Sequence, residues 1–345
     1  MKETMIYDKL DMDKVKCGIC GQGCEISPGE RGFCKVRENV KGRLCSLVYG
    51  KAIDVSMDPI EKKPFFQFAP GSRTLSVATL GCNLGCLFCQ NWEISQEFDK
   101  IRGEKYSPED LVNKAGNWKC DGIAYTYTEP AVFYEYVYDT AKIAGSTLYN
   151  VLVTNGYFTP ESVKKLAGYI DAANVDLKGD YRFYKKYCLG KKGDEPVKET
   201  LKILQKEKVW IEITDMIIPG LNDNTERVRN MCKWIVEELG REVPLHLSKF
   251  YPNYKLTSIP STPVETLDKT REIARKEGIK YVYVGNVPGH RYESTFCQSC
   301  GEVAIKRFGF SIQKFNLDKN MRCRKCGEKI PVAGKNWINK KLFRK

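Results

Sequence analysis

Seven short apolar or β-branched runs, at 74–80, 122–127, 150–154, 173–177, 210–218, 245–250 and 280–284, alternate with segments of helical character. Runs this apolar suit strands covered on both faces. The segments between them carry helix signals. Ser107-Pro108-Glu109-Asp110 and Thr159-Pro160-Glu161 each offer an N-cap, a proline at the first helical position and an early acid. A helix starting at Asn224-Thr225-Glu226 ends on Gly240, and another runs over 264–276. Repeated βα units predict an α/β fold with a parallel sheet and helices outside it. About six consecutive units favour a partial (β/α)6 TIM-like barrel over a doubly wound sheet.

In such a barrel, function belongs at the C-terminal ends of the strands, and the polar exceptions cluster there. Thr126-Tyr127-Thr128-Glu129-Pro130 follows the second run, Thr154-Asn155-Gly156 the third, and Asp176-Leu177-Lys178-Gly179 ends the fourth. Ile218-Pro219-Gly220 follows the fifth, and His246, Ser248 and Tyr251 lie on or after the sixth. Each alone reads equally well as a turn, a cap or a satisfied polar group. One shared rim makes them a candidate site.

The loop after the first run is Gly81-Cys82-Asn83-Leu84-Gly85-Cys86-Leu87-Phe88-Cys89, with cysteines spaced C-x3-C-x2-C. A closed structural metal site wants four protein ligands, whereas three thiolates on a [4Fe-4S] cube leave one iron open for chemistry. The bland alternative is a zinc site with a distant fourth ligand.

The fifteen cysteines mostly fall into groups. With no apolar signal core near the N-terminus and no run approaching the ~20 residues that span a membrane, a cytoplasmic protein is expected. Grouped cysteines then read as metal ligands, not disulfides. Cys17, Cys20, Cys24 and Cys34, among glycines that allow tight turns, read as a closed site. Zinc stapling a small domain is the first reading there, an iron–sulfur cluster the second. Cys297-x2-Cys300 and Cys323-x2-Cys326, each followed by glycine, read as a zinc ribbon. Cys120, Cys188 and Cys232 are expected to be small buried hydrophobes, and Cys45 a spare ligand. Three units follow: a cysteine-rich metal-binding subdomain over 1–73, the barrel over 74–290, and a ribbon with its tail over 291–345.

The net charge of +13 is concentrated. From Cys297 onward, thirteen Lys and Arg face three Asp and Glu, a balance of +10. Metal-bound thiolates would offset about two of these charges. The tail from Lys335 to Lys345 mixes cations with aromatics, a composition that suits nucleic acid, an acidic protein surface or a solvated terminus alike.

The cluster loop with Phe88 before its last cysteine resembles the signature of radical S-adenosylmethionine (SAM) enzymes. With Gln90-Asn91-Trp92, Tyr125 to Pro130, Thr154-Asn155-Gly156 and Asp176-Leu177-Lys178, the chain is similar to pyruvate formate-lyase activating enzymes. The N-terminal cysteines, the Asp58-Pro59-Ile60-Glu61-Lys62-Lys63-Pro64 run and the paired C-x2-C motifs narrow the resemblance to the radical SAM protein of the AmmeMemoRadiSam system. The charges of that run read by themselves as a solvated turn.

This resemblance implies that Cys82, Cys86 and Cys89 hold a [4Fe-4S] cluster that chelates SAM. Reductive cleavage of SAM would then yield a 5′-deoxyadenosyl radical that abstracts hydrogen from a substrate. It implies contacts to SAM from Phe88, Asn91, Thr126, Thr128, Glu129, Asn155, Asp176, Lys178 and His246. Thr126 to Glu129 stands where the family has Gly-Gly-Glu and lacks both glycines, so Glu129 is expected to act indirectly. A lone histidine such as His246 is more often structural, and His290 reads as a linker residue. The implied partners are a protein substrate, a ferredoxin or flavodoxin donor, and Memo-like and Ammecr-type proteins. Two other classes stand beside this one: a nucleic-acid-binding or RNA-modifying metalloprotein working through the basic ribbon, and an electron-transfer iron–sulfur protein.

Overall fold

The computed structural model describes residues 1–338 and Leu342. One eight-stranded sheet organises it: β1 (Asp54–Pro59), β2 (Arg73–Ala78), β3 (Gly122–Tyr125), β4 (Tyr149–Thr154), β5 (Ala172–Asp176), β6 (Trp210–Ile217), β7 (Leu245–Lys249) and β8 (Val282–Gly285). Spatial order follows chain order throughout. Strands β2 to β8 are parallel, so all seven sequence-predicted runs belong to this sheet. Strand β1 runs antiparallel to β2, with Asp54 opposite Ala78. The sequence left β1 in the lead-in because its alternation of Asp, Ser and Met lacks the apolar density of a covered strand.

Helices α1 (Pro108–Asn117), α2 (Tyr134–Ala144), α3 (Pro160–Ala167), α4 (Tyr181–Tyr187), α5 (Glu195–Lys206), α6 (Thr225–Glu238) and α7 (Val264–Lys276) make the crossovers. Their starts are chemical. Ser107 and Thr159 each accept from the N–H three residues on, in a reciprocal capping box worth ~1 kcal/mol per cap. Asn224 caps α6, and Gly240, at φ +94°, closes its far end by donating to the Ile235 carbonyl.

The N-terminal end of the strands is closed. The segment from Ile60 to Ala69 lies across it, packing Phe65 and Phe68 on Tyr149, Val151 and Ala172 at the starts of β4 and β5. Its backbone is held by one carboxylate: Glu212 of β6 accepts from the N–H groups of Phe66, Gln67 and Phe68. Below it sits the C-terminal module, a three-stranded antiparallel sheet that includes β9 (Val303–Phe308) and β10 (Ser311–Phe315). Ala304, Ile305, Phe315 and Leu317 share a core with Phe66, Tyr281 and Tyr283. Arg307, 3% exposed, donates to the Phe66 carbonyl at 2.6 Å and to Thr295.

Before β1, two three-stranded antiparallel sheets form the N-terminal region. Their apolar residues Ile6, Val15, Ile26, Val36 and Leu44 merge with the main core. Arg37 and Glu135 of α2 form a buried ion pair at 2.8 Å that ties this region to the helix layer outside the sheet. Among the described residues, no helix is long and apolar enough to cross a membrane.

Candidate active site

Parallel register brings the ends of β2, β3, β4 and β5 to one rim, Tyr125 pairing with both Val77 and Leu152 and Thr154 with Val175. The cysteine loop leaves β2 there and is bound to its neighbours by hydrogen bonds. Gly85 and Leu87 donate to the carbonyls of Cys188 and Tyr187, and Asn91 Nδ2 to the Tyr127 carbonyl at 2.7 Å. Cys86 is buried, Cys82 and Cys89 partly so. Phe88 is also buried and packs on Phe183 of α4.

The sulfurs have partners suited to thiolates. Asn155 Nδ2 and the Leu84 N–H lie 3.6 and 3.4 Å from Cys82 Sγ, and Ser95 Oγ lies 3.2 Å from Cys89 Sγ. Without a metal all three thiols are held protonated. A hydrogen bond donated to Cys188 and then burial raise Cys86; burial followed by the Glu129 charge raises Cys82; burial raises Cys89. Iron must displace those protons on binding. Three thiols on one loop, with N–H and O–H donors aimed at two of them, fit a three-thiolate iron–sulfur cluster.

Glu129 organises the adjoining rim. It is 2% exposed and accepts from the Ala131 N–H (3.1 Å), the Thr154 hydroxyl (2.7 Å) and the Asn155 N–H (2.8 Å). Burial pushes its carboxyl up to about 7 against those donors. Every contact is internal, so Glu129 positions the β3 and β4 loops. Asn155 in turn donates to Asn83 Oδ1 at 2.7 Å, linking the β4 loop to the cysteine loop. Thr128 donates to the Thr79 carbonyl and the Thr126 N–H to Val77, which stitches the β3 loop to the β2 end. Between them Tyr127 adopts φ +64°, unusual for a bulky residue and a mark of an over-determined site.

Lys178 and Asp176 form an ion pair at 2.5 Å, lysine 15% and aspartate 33% exposed. Burial works to lower the Lys178 ammonium, but the Asp176 carboxylate beside it outweighs this and raises it well above the usual lysine range. The ammonium is thus permanently charged beside the cysteine loop.

His246 does not join the rim. It is the second residue of β7, pairs with Glu212 at 2.7 Å, and is enclosed by Phe66 and Tyr283 at the covered end of the sheet. Alternation along a strand gives the face but not the height of a side chain, and the height excludes a contact at the rim. His290 is structural as well, accepting from the Tyr292 N–H and facing Asp268.

Three contributors escaped the sequence. Cys188, read as a plain core residue, is fully buried but hydrogen-bonds Cys86. Tyr184 bridges the Asp176 carbonyl and the Lys178 N–H. The Asp58 to Pro64 run is not a solvated turn: Lys63, 1% exposed, pairs with Asp58 at 2.8 Å and lies 4.0 Å over the Tyr127 ring. The run itself was the available signal.

Two further cysteine sets exist. Among the described residues, the sulfurs of Cys297, Cys300, Cys323 and Cys326 lie within 4.8 Å of one another, a set able to hold one metal ion. Cys17, Cys20, Cys24 and Cys34 line one recess together with Asn83 of the cysteine loop. Cys45 lies outside it, paired opposite Glu3 and Glu38.

The family model for the radical SAM superfamily matches residues 76–235. An uncharacterized protein of Methanocaldococcus jannaschii is 49% identical over 336 residues, covering 96% of this chain and all of that one. The pyruvate formate-lyase-activating enzyme of Clostridium pasteurianum is 24% identical over 230 residues, 62% of this chain and 91% of its own. The crystal structure of Streptococcus suis SuiB bound to S-adenosylmethionine superposes with a TM-score of 0.49 at 13% identity, covering 69% of this chain and 56% of that one.

Proposed function

The chain belongs to the radical SAM superfamily, and on that premise we propose that it acts as an activating-enzyme-like catalyst whose cluster is held by Cys82, Cys86 and Cys89. When bound, the cluster and SAM supply a one-electron cleavage that gives a 5′-deoxyadenosyl radical for hydrogen abstraction. The observation that carries this reading is the convergence of the three-cysteine loop with Asn155, Glu129 and Lys178 on one rim.

The roles of the chain's own residues follow from their contacts. Lys178, charged and held by Asp176, is the group suited to the SAM carboxylate. Asp176, a third exposed, is free on one side for a ribose hydroxyl or the SAM ammonium. Thr126 and Thr128 lie on the β3 loop, held to the end of β2. Asn155, already spent on Asn83 and Cys82, positions the cysteine loop rather than the ribose. Glu129 sets the height of both loops. Packing below the rim, from Glu212 and Phe66 to the C-terminal module, closes the barrel against water from the other end.

Likeness to an activating enzyme supports a protein substrate and an external one-electron donor of the ferredoxin or flavodoxin kind. The finer assignment to the AmmeMemoRadiSam group, with Memo-like and Ammecr-type partners, rests on the sequence features alone. The four C-terminal sulfurs have the ligand number and closeness of a structural zinc site. The nucleic-acid reading is not carried forward: residues 339–341 and 343–345 of the basic tail lie outside the described residues, and the module before them docks under the barrel.

The test is anaerobic. Reconstituted protein, SAM and a strong reductant should release 5′-deoxyadenosine, and a Cys86→Ala variant should release none. Absence of both product and SAM binding in a protein with an intact cluster would overturn the reading.

A further inference from the structure

The described residues contain three cysteine sets of two different sizes. A single zinc ion, with Zn–S bonds of ~2.3 Å in a tetrahedron, requires its sulfurs to lie roughly 3.8 Å apart. The C-terminal set has that size, with Cys297 and Cys326 sulfurs 3.5 Å apart and Cys300 and Cys323 sulfurs 3.8 Å apart. Among the described residues, it alone gathers within 4.8 Å. The sulfurs of Cys82, Cys86 and Cys89 do not gather to that size, and thiolates bound to separate irons of one cube stand farther apart than ligands of one ion. Among the described residues, the sulfurs of the N-terminal set likewise do not gather within 4.8 Å of one another. Its four cysteines line one recess together with Asn83 and Arg37.

We propose that Cys17, Cys20, Cys24 and Cys34 hold a second iron–sulfur cluster, a [4Fe-4S] cube with four protein thiolates, seated against the loop of Cys82, Cys86 and Cys89. Soft thiolates alone select zinc or iron–sulfur, and the spread of the ligands decides between them. The recess has a fixed wall. Arg37, 2% exposed and fixed by Glu135 and Thr4, forms part of its wall. The Phe33 N–H lies 3.5 Å from Cys24 Sγ, and a Cβ placed on Gly32 would lie 3.7 Å from the same sulfur.

The recess and the cysteine loop share structure. Asn83, between Cys82 and Cys86, lines the recess. Gln22, two residues after Cys20, donates to the Asn83 carbonyl at 2.8 Å. Gly81 approaches Cys34 so closely that a Cβ there would meet the Cys34 carbonyl and Val36 at 2.8 Å. With all four corners filled by protein, this cube has no open iron and stores one electron without binding SAM. It thus places an electron store beside a loop whose family chemistry consumes one electron. That role rests on the proposed function; the site does not.

The experiment counts iron, sulfide and zinc per chain after anaerobic reconstitution of the full chain, and follows the iron by Mössbauer and EPR spectroscopy with and without SAM. The parent should hold about eight iron, eight sulfide and one zinc. Cys82→Ala/Cys86→Ala/Cys89→Ala should keep about four iron in a cluster indifferent to SAM, and Cys20→Ala/Cys24→Ala about four that respond to it. About four iron and two zinc in the parent, with an iron-free triple variant, would overturn the proposal. If the triple variant does not fold, the parent decides: half its iron indifferent to SAM supports the second cluster, and a single SAM-responsive population refutes it. The readout is metal and spectrum, so loss of SAM cleavage would leave it intact.

Discussion

The Asn155 N–H donates to the Glu129 carboxylate at 2.8 Å, and the Asn155 side chain reaches Cys82 Sγ at 3.6 Å. One carboxylate from the β3 end therefore sets the residue that supports a sulfur on the β2 loop. Glu129 needs no contact with a cofactor to control the site.

Glu129→Gln should expose this. The amide puts an N–H₂ in place of one carboxylate oxygen, facing either the Asn155 N–H or the Ala131 N–H and Thr154 hydroxyl, at a cost of about 1–3 kcal/mol for each buried group left unsatisfied. SAM binding should weaken ~10- to 100-fold with iron content unchanged, read by equilibrium binding of SAM to the reconstituted cluster. Unaltered affinity would remove Glu129 from the site.

Asp58 supplies a pH test. Burial would raise its carboxyl, but hydrogen bonds from Lys62, Lys63, Tyr127 and Ser76 prevail and hold it well below the usual aspartate range. A depressed carboxylate contributes stability above its unfolded pKa of ~3.9 and loses it as pH falls through the folded value. Parent protein should therefore exceed Asp58→Asn in urea midpoint at pH 7, and the gap should narrow below about pH 4. A gap independent of pH would mean that packing alone accounts for it.

His246→Ala should separate fold from function. The variant loses the buried contact to Glu212 and the ring packing on Phe66 and Tyr283, a loss of ~2–4 kcal/mol. Thermal unfolding should drop by several degrees, while 5′-deoxyadenosine formed per folded, iron-loaded chain stays at the parent value. A fall in that ratio with normal stability would return His246 to the site.

Cys323→Ser should release the metal expected at the C-terminal set, since the four sulfurs close on one position. Zinc should fall by one per chain, and the module under the main sheet should loosen, seen as faster hydrogen exchange in β9 and β10. Retention of full zinc would place that metal elsewhere.

Covered strands, capped helices and closely spaced cysteines are local patterns, and the sequence alone determined them. All seven parallel strands, the caps at Ser107, Thr159 and Asn224, and the three cysteine sets were legible because propensity, periodicity and ligand spacing act within a few residues. The edge strand β1 was not, since its pairing with β2 supplies the burial that its composition lacks. Tertiary structure alone decided height along the strands and contact across loops. His246 went to the closed end because Glu212 and Phe66 meet it there. Cys188 reached Cys86, and Lys63 reached Asp58 and Tyr127, through contacts between segments far apart in the chain. Sequence spacing says which side chains share a face; only the folded register says which of them share a place.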